Sequence, residues 1–283
     1  MGVLRIALPN KGTLAEPTRL IIEEAGYLHG AGRQELFVQD PENGVEFFFL
    51  RPRDVATYVG EGILDLGVTG RDMLLDSGAA AQECAALGFG ISTFRLAAPK
   101  EQIASLDQLD GVRIATSYPG VLRNWLDSRG IQARVVHLDG AVENAVALGV
   151  ADVVADVVAT GTTLRRVGLE LLDDVILHSE AIVVARNSDD LRPDVATFLR
   201  RLHGVMVART YVLVDYDIPQ EYLEEACALT PGFESPTISP LRDPRWSAVR
   251  AMVPASRVHA VMDDLYALGA RGILVTDIHA CRL

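Results

Sequence analysis

Through the first two-thirds of the chain, a short apolar run repeatedly stops at a turn of glycine, proline or polar residues, and an amphipathic segment follows. Leu4 to Leu8 runs into Pro9-Asn10-Lys11-Gly12 and a helix from Thr13 to Ala25, with Thr13 as its N-cap. Val45 to Leu50 is followed by a helix from Pro52 to Gly60, and Leu64 to Thr69 by Gly70-Arg71-Asp72 and a further helix. Strands separated by helices cannot pair as tight hairpins. They need crossover connections, so the pattern predicts parallel β/α architecture. In such sheets ligands gather at the C-terminal ends of the strands.

A second unit of the same kind begins near Thr93. Its strands are Arg113 to Thr116, Ala133 to Leu138 and Val153 to Val158, and its helices are Gly120 to Arg129, Ala141 to Leu148 and one opening at Thr162. Segments around 90–98 and 177–185 are placed to carry the chain out of one lobe and back, which predicts two lobes with a cleft between them. The expected division is 1–92 with 185–210 for the first lobe and 93–184 for the second. From Tyr211 the order changes to βαββαβ, with a hairpin from Pro236 to Leu241 and Val249 to Val253. That is a ferredoxin-like arrangement over 211–283.

At 283 residues, with 49% hydrophobic and 23% charged side chains, the chain has enough apolar material for several cores. The net charge of −12 disfavours sequence-independent nucleic-acid binding and docking to an anionic membrane. An anionic small ligand is still admissible, because a local cation cluster focuses field inside an acidic shell. Cys84, Cys227 and Cys281 lack zinc or redox spacing, and the N-terminus lacks the long apolar core of a secretory signal. Both point to a reduced, cytoplasmic setting.

The stretch Asp156-Val157-Val158-Ala159-Thr160-Gly161-Thr162-Thr163 carries the most chemistry. A buried strand delivers the chain to a turn of small and hydroxyl residues where a helix starts. Amides with no intrahelical acceptor, a glycine and three threonines make a cradle for one phosphate. The Lys and spacing of a Walker loop are absent. Asp156 repels phosphate but accepts hydrogen bonds from a ribose diol, so the combination points to a sugar phosphate. A plain helix cap on a buried strand has the same pattern. Lys11 stands out because the chain has two lysines against 24 arginines. It lies in the first strand-end turn, where a compact ammonium either serves a ligand site at the sheet edge or is a plain solvated turn lysine. Arg51 and Arg71-Asp72 end the next two strands. Surface ion pairing explains each singly, and their coincidence at three strand ends favours a site. Tyr118 follows another strand, where it either stacks on a base or covers the sheet edge. Asp139 and Glu143 flank a further junction and suit Mg²⁺, ribose hydroxyls or helix capping.

Seven segments together resemble long-form ATP phosphoribosyltransferases, which open histidine biosynthesis: Pro9-Asn10-Lys11-Gly12, Phe48 to Pro52, Gly67 to Asp72, Ala115 to Pro119, Leu138 to Glu143, Asp156 to Leu164 and Pro231 to Ile238. The resemblance implies two lobes of periplasmic-binding-protein type and a C-terminal regulatory domain. It implies transfer of phosphoribosyl from 5-phosphoribosyl 1-pyrophosphate to N1 of ATP, Mg²⁺ dependence, a dimer-to-hexamer equilibrium and inhibition by histidine. Asp156, Val157, Val158, Ala159, Thr160, Gly161, Thr162 and Thr163 would then hold the ribose 5-phosphate. Lys11, Arg51, Asp72 and Glu143 would be catalytic, with Lys11, Asp72 and Tyr118 near ATP. Asp217, at the end of its strand, with Ser235 and Thr237, would receive histidine. Thr13 stands where many relatives have Arg. The fold alone also admits a non-catalytic bilobal sensor; the Asp156 loop argues against a simple amino-acid receptor.

Overall fold

The structure, a computed structural model, describes residues 2–28, 35–103, 105–187 and 192–282, so termini 1 and 283 of the expected divisions lie outside the described residues. The chain forms two compact units, Met1–Leu20 with Leu28–Val195, and Ile21–Tyr27 with Ala196–Leu283.

Two sheets build the first unit. The elements in order are β1 (Leu4–Pro9), α1 (Ala15–Glu24), β2 (Phe37–Asp40), β3 (Val45–Leu50), α2 (Pro52–Gly60), β4 (Leu66–Gly70), α3 (Arg71–Ser77), β5 (Gln82–Ala86), β6 (Ser92–Ala98), β7 (Arg113–Thr116), α4 (Pro119–Arg129), β8 (Arg134–His137), β9 (Val153–Val158), α5 (Thr162–Arg166), β10 (Glu170–Ser179) and β11 (Ala181–Ala185). Sheet one runs β2-β3-β1-β4-β11-β5 and sheet two β10-β6-β9-β7-β8. In each, three parallel strands lie beside one antiparallel strand that has just crossed from the other sheet: β11 in sheet one and β6 in sheet two. This repeated order makes both lobes periplasmic-binding-protein-like. Burial explains the strand types. All five residues of β4 and of β11 are buried, as strands covered on both faces require. Gly67 allows helix α2 to approach, since a side chain there would collide with Val55.

The return crossing falls at Glu180, between β10 and β11, so all of β11 belongs to sheet one rather than only residues from 185 onward. A fully buried apolar strand lies between β4 and β5 in sheet one, and its last residue alone could not have paired with both. Helix α1 starts at Ala15, two residues beyond the expected cap. The expected helix over 141–148 is a single 3-10 turn, Val142–Asn144, preceded by Ala141 at φ 51°. Strands β2 and β5 are short additional strands at the two edges of sheet one.

In the second unit, α6 (Pro193–Thr210) is grouped with the C-terminal residues from Ala196 onward, rather than with the first lobe. It leads to β12 (Tyr211–Pro219), α7 (Leu223–Leu229), β13 (Thr237–Pro240), β14 (Trp246–Pro254), α8 (Val258–Ala267) and β15 (Arg271–Asp277). The sheet order β13-β14-β12-β15 is ferredoxin-like. Val212, Val214, Tyr216 and Ile218 alternate into the core of this unit with Val249, Val261 and Leu265. The Tyr216 hydroxyl hydrogen-bonds with the Thr230 hydroxyl at 2.7 Å, and burial pushes its pKa up to about 12.

Candidate active site

Register brings the predicted cations together. Pro9 lies beside Leu50 and Ala7 beside Gly67, so β1, β3 and β4 end on the same edge of sheet one. Lys11 follows β1 in a turn that Gly12 closes at φ 79°. Arg51 is the N-cap of α2, with Pro52 starting the helix. Both side chains are exposed, and neither has an ion-pair partner among the described residues. Asp72 differs. It is only 4% exposed, its amide donates to Ser179 Oγ at 3.0 Å, and Ser179 Oγ donates to its Oδ1 at 2.8 Å. A side chain on Gly70 would collide with that carboxylate. Arg71, next to it, is tied to Glu83 at 2.7 Å and Glu180 at 3.2 Å, so it supports the crossing point rather than offering a free charge.

Sheet two supplies the opposing edge. Asp156 to Leu164 and Glu143 line a pocket of about 220 Å³ after β9. Gly161 sits at φ 72°, and Thr162 and Thr163 are exposed around it. Arg165 donates to the Thr160 carbonyl at 2.6 Å, and the hydroxyls of Thr160 and Thr162 lie 3.0 Å apart. Helix α5 has only five residues, so its macrodipole is small. Any anion here meets local amides and hydroxyls rather than a helix field. Asp156 accepts the Val157 amide at 2.8 Å. Burial raises its pKa first, and the Glu143 and Asp72 charges add to this. Three carboxylates therefore share one region, drawn from both lobes.

Tyr118 is not an open stacking platform. It is 9% exposed, packs edge-on to Phe94 at 5.6 Å, and has the Arg53 guanidinium 4.6 Å over its ring. Burial raises its phenol pKa, with the Asp72 charge contributing. Arg53 also donates to Asp76 Oδ2 at 2.7 Å, and Asp76 Oδ1 accepts the Gly120 amide at 2.7 Å and the Val121 amide at 3.3 Å. Sequence reasoning missed Arg53, Asp76 and Ser179. Asp72 and Asp76 are one helical turn apart on α3, and that spacing was the available signal for a shared face.

Among the described residues no three His, Cys, Asp or Glu side chains converge on a point able to hold a metal. Glu143 and Asp156 share the pocket and provide hard oxygen donors. That suits an ion such as Mg²⁺, which keeps waters and takes most other ligands from substrate phosphates. Asp139 is fully exposed beside His137, at 3.7 Å, outside the pocket lining.

In the second unit, Asp217 lies inside β12 rather than at its end, since the strand continues to Pro219. It lines a cavity of about 520 Å³ with Asp215, Thr237, Ser239, Arg250 and Gly272. Ser235 is not part of that lining.

The family profile for ATP phosphoribosyltransferase (HisG) matches residues 51–204, and the profile for the HisG C-terminal domain matches 208–280. A curated ATP phosphoribosyltransferase of Pseudarthrobacter chlorophenolicus is 55% identical over 284 residues, spanning 99% of this chain and all of that one. One from Streptomyces avermitilis is 56% identical over 285 residues with the same coverage. A solved structure, the ATP phosphoribosyl transferase (HisG:HisZ) complex from Thermotoga maritima, is similar at a TM-score of 0.63 and 30% identity, over 72% of this chain and 98% of that one. The chain belongs to the ATP phosphoribosyltransferase family.

Proposed function

We propose that the chain joins the phosphoribosyl group of 5-phosphoribosyl 1-pyrophosphate to N1 of ATP and releases pyrophosphate. The observation supporting this is the pocket of Asp156 to Leu164 and Glu143, set on one sheet edge, with Lys11 and Arg51, which have no ion-pair partner among the described residues, on the edge of the other. The N1 lone pair forms the bond to the anomeric carbon as the bond to pyrophosphate oxygen breaks. The nucleophile belongs to the substrate, so no protein adduct is needed. The residues act by orientation and charge. The amides and hydroxyls of Ala159 to Thr163 hold the 5-phosphate, and Asp156 accepts hydrogen bonds from the ribose hydroxyls. Lys11 and Arg51 balance the charge that develops on pyrophosphate. Asp72, held by Ser179, and Tyr118, beneath Arg53, form the wall near the nucleotide. Glu143 and Asp156 are the residues that would hold Mg²⁺, and a bound ion would supply further neutralisation of the developing negative charge.

The second unit is assigned a regulatory role, binding histidine at Asp217 and Thr237 and linking subunits of a homo-oligomer. No helix of the described residues is long and apolar enough to cross a membrane. Pyrophosphate release on mixing ATP, phosphoribosyl pyrophosphate and Mg²⁺ tests the reading. Binding of either substrate without any release would instead support a sensor.

A further inference from the structure

We infer that Asp76 is a positioning residue that fixes the two half-sites against each other, and this rests on the reaction proposed above. Asp76 lies on α3, one turn beyond Asp72. Its side chain is only 7% exposed. All of its partners among the described residues serve one junction. Oδ1 accepts the first free amides of α4, from Gly120 at 2.7 Å and Val121 at 3.3 Å. Oδ2 accepts Arg53, whose guanidinium also covers the Tyr118 ring. Helix α3 follows β4 of sheet one, and α4 follows β7 of sheet two. A carboxylate of one lobe therefore caps a helix of the other, and that helix begins directly after Tyr118.

Capping side chains normally come from the residue next to the helix. The N-cap position of α4 is Tyr118, which makes no side-chain capping bond. The cap is supplied 44 residues away in sequence instead. The fit is close: a Cβ on Gly120 would lie 2.5 Å from the Asp76 carbonyl oxygen and 3.1 Å from Oδ1. Gly120 is thus the one residue type that lets the two helices meet at this separation. The consequence is functional as well as architectural. Asp72 and the Lys11–Arg51 edge belong to one lobe, and the Asp156 to Thr163 cradle to the other. In-line attack needs both substrates held in a near-attack geometry, and a misplacement of about 1 Å can cost about a hundredfold in rate. A contact that sets lobe separation should govern the ternary complex while leaving each half-site intact.

The test compares Asp76→Ala, Asp76→Asn and Gly120→Ala in the full chain. For each, calorimetry gives the affinity for phosphoribosyl pyrophosphate alone, steady-state assay gives kcat, and circular dichroism reports folding. Asn keeps an oxygen for the two amides and loses only the charge toward Arg53. We expect Asp76→Ala and Gly120→Ala to lower kcat at least thirtyfold with the affinity for phosphoribosyl pyrophosphate changed less than threefold. Asp76→Asn should recover most of the rate. The inference is overturned if folded Asp76→Ala or Gly120→Ala keeps wild-type kcat, or if affinity for the single substrate falls in step with kcat. It is also overturned if Asn is no better than Ala. If Asp76→Ala fails to fold, the Gly120→Ala and Asn results decide by the same criteria. A wild-type chain that makes no phosphoribosyl-ATP refutes the underlying reaction, which is a separate outcome from an active wild type with indifferent variants.

Discussion

Ser179 and Asp72 bond to each other twice: the Asp72 amide donates to Ser179 Oγ at 3.0 Å, and that hydroxyl donates back to Asp72 Oδ1 at 2.8 Å. Ser179 ends β10 in one sheet and Asp72 opens the helix after β4 in the other. A serine in this position satisfies a buried amide and orients a buried carboxylate with one hydroxyl. We expect Ser179→Ala to cost about 1–3 kcal/mol of stability, because it strands a buried donor. Urea denaturation of the variant against wild type checks this, and a midpoint shift within error would show that water replaces the hydroxyl.

Gly161→Val should weaken phosphoribosyl pyrophosphate binding at least tenfold and ATP binding much less. At φ 72° a β-branched residue is strained, and a Cβ would lie 3.1 Å from Leu171 Cδ1. Titration of each substrate separately distinguishes the two. Equal losses would mean that the loop is not the 5-phosphate cradle.

Much of this architecture was legible in the sequence, for a physical reason. Strands such as Val45–Leu50 and Val153–Val158 are fully patterned by burial on a sheet, and the glycine and proline punctuation marks their ends. The edge strands β2 and β5 were not legible, because half-exposed residues such as those of Gln82–Ala86 carry no strong pattern. The 141–148 stretch had helical periodicity but not the local geometry, with Ala141 in the left-handed region. Among the candidate residues, strand-end position predicted where Lys11, Arg51, Asp72 and the Asp156 loop would lie. It could not predict that Arg53 covers Tyr118 or that Asp76 caps a helix, since both depend on how separate β/α units meet.

Lys11→Ala should leave folding unchanged, because the exposed side chain has no ion pair to lose among the described residues. Loss of one charge-assisted phosphate contact is worth about 1.5–3 kcal/mol, or roughly ten- to hundredfold in kcat/KM. Initial rates for both substrates measure it, and wild-type values would take Lys11 out of the site.

Asp156→Asn should stabilise the fold while abolishing turnover. Burial raises the Asp156 pKa above its ordinary value, so the folded state disfavours the charged form. The stability cost is therefore full at pH above the folded pKa and fades as pH falls toward the unfolded value of about 3.9. Thermal midpoints taken from pH 7 downward should show the variant's advantage shrinking with acidity. An advantage that is constant or grows at low pH would mean that the carboxylate is not the destabilising group.

A cavity of about 520 Å³ lies on the sheet of the second unit. Two carboxylates line it, and they differ in charge balance. Asp215 Oδ1 accepts Arg250 at 2.6 Å, whereas Asp217 has no ion-pair partner among the described residues. Its Oδ2 lies 3.8 Å from where a Cβ on Gly272 would be, so the absent side chain leaves the carboxylate approachable. An α-ammonium can pair with Asp217, while Thr237, on the same cavity wall, offers a hydroxyl to the amino acid's carboxylate. Ser235 lies outside that lining. Asp217→Ala should weaken histidine binding at least tenfold by calorimetry and raise the concentration needed for half-inhibition in parallel. Ser235→Ala should leave both within about twofold. Inhibition further requires histidine to favour one state of the assembly, because equal affinity for both states shifts nothing. If Asp217→Ala binds histidine as tightly as wild type, the cavity is not the effector site. If Ser235→Ala is the damaging change, the ligand lies on the 231–236 turn instead.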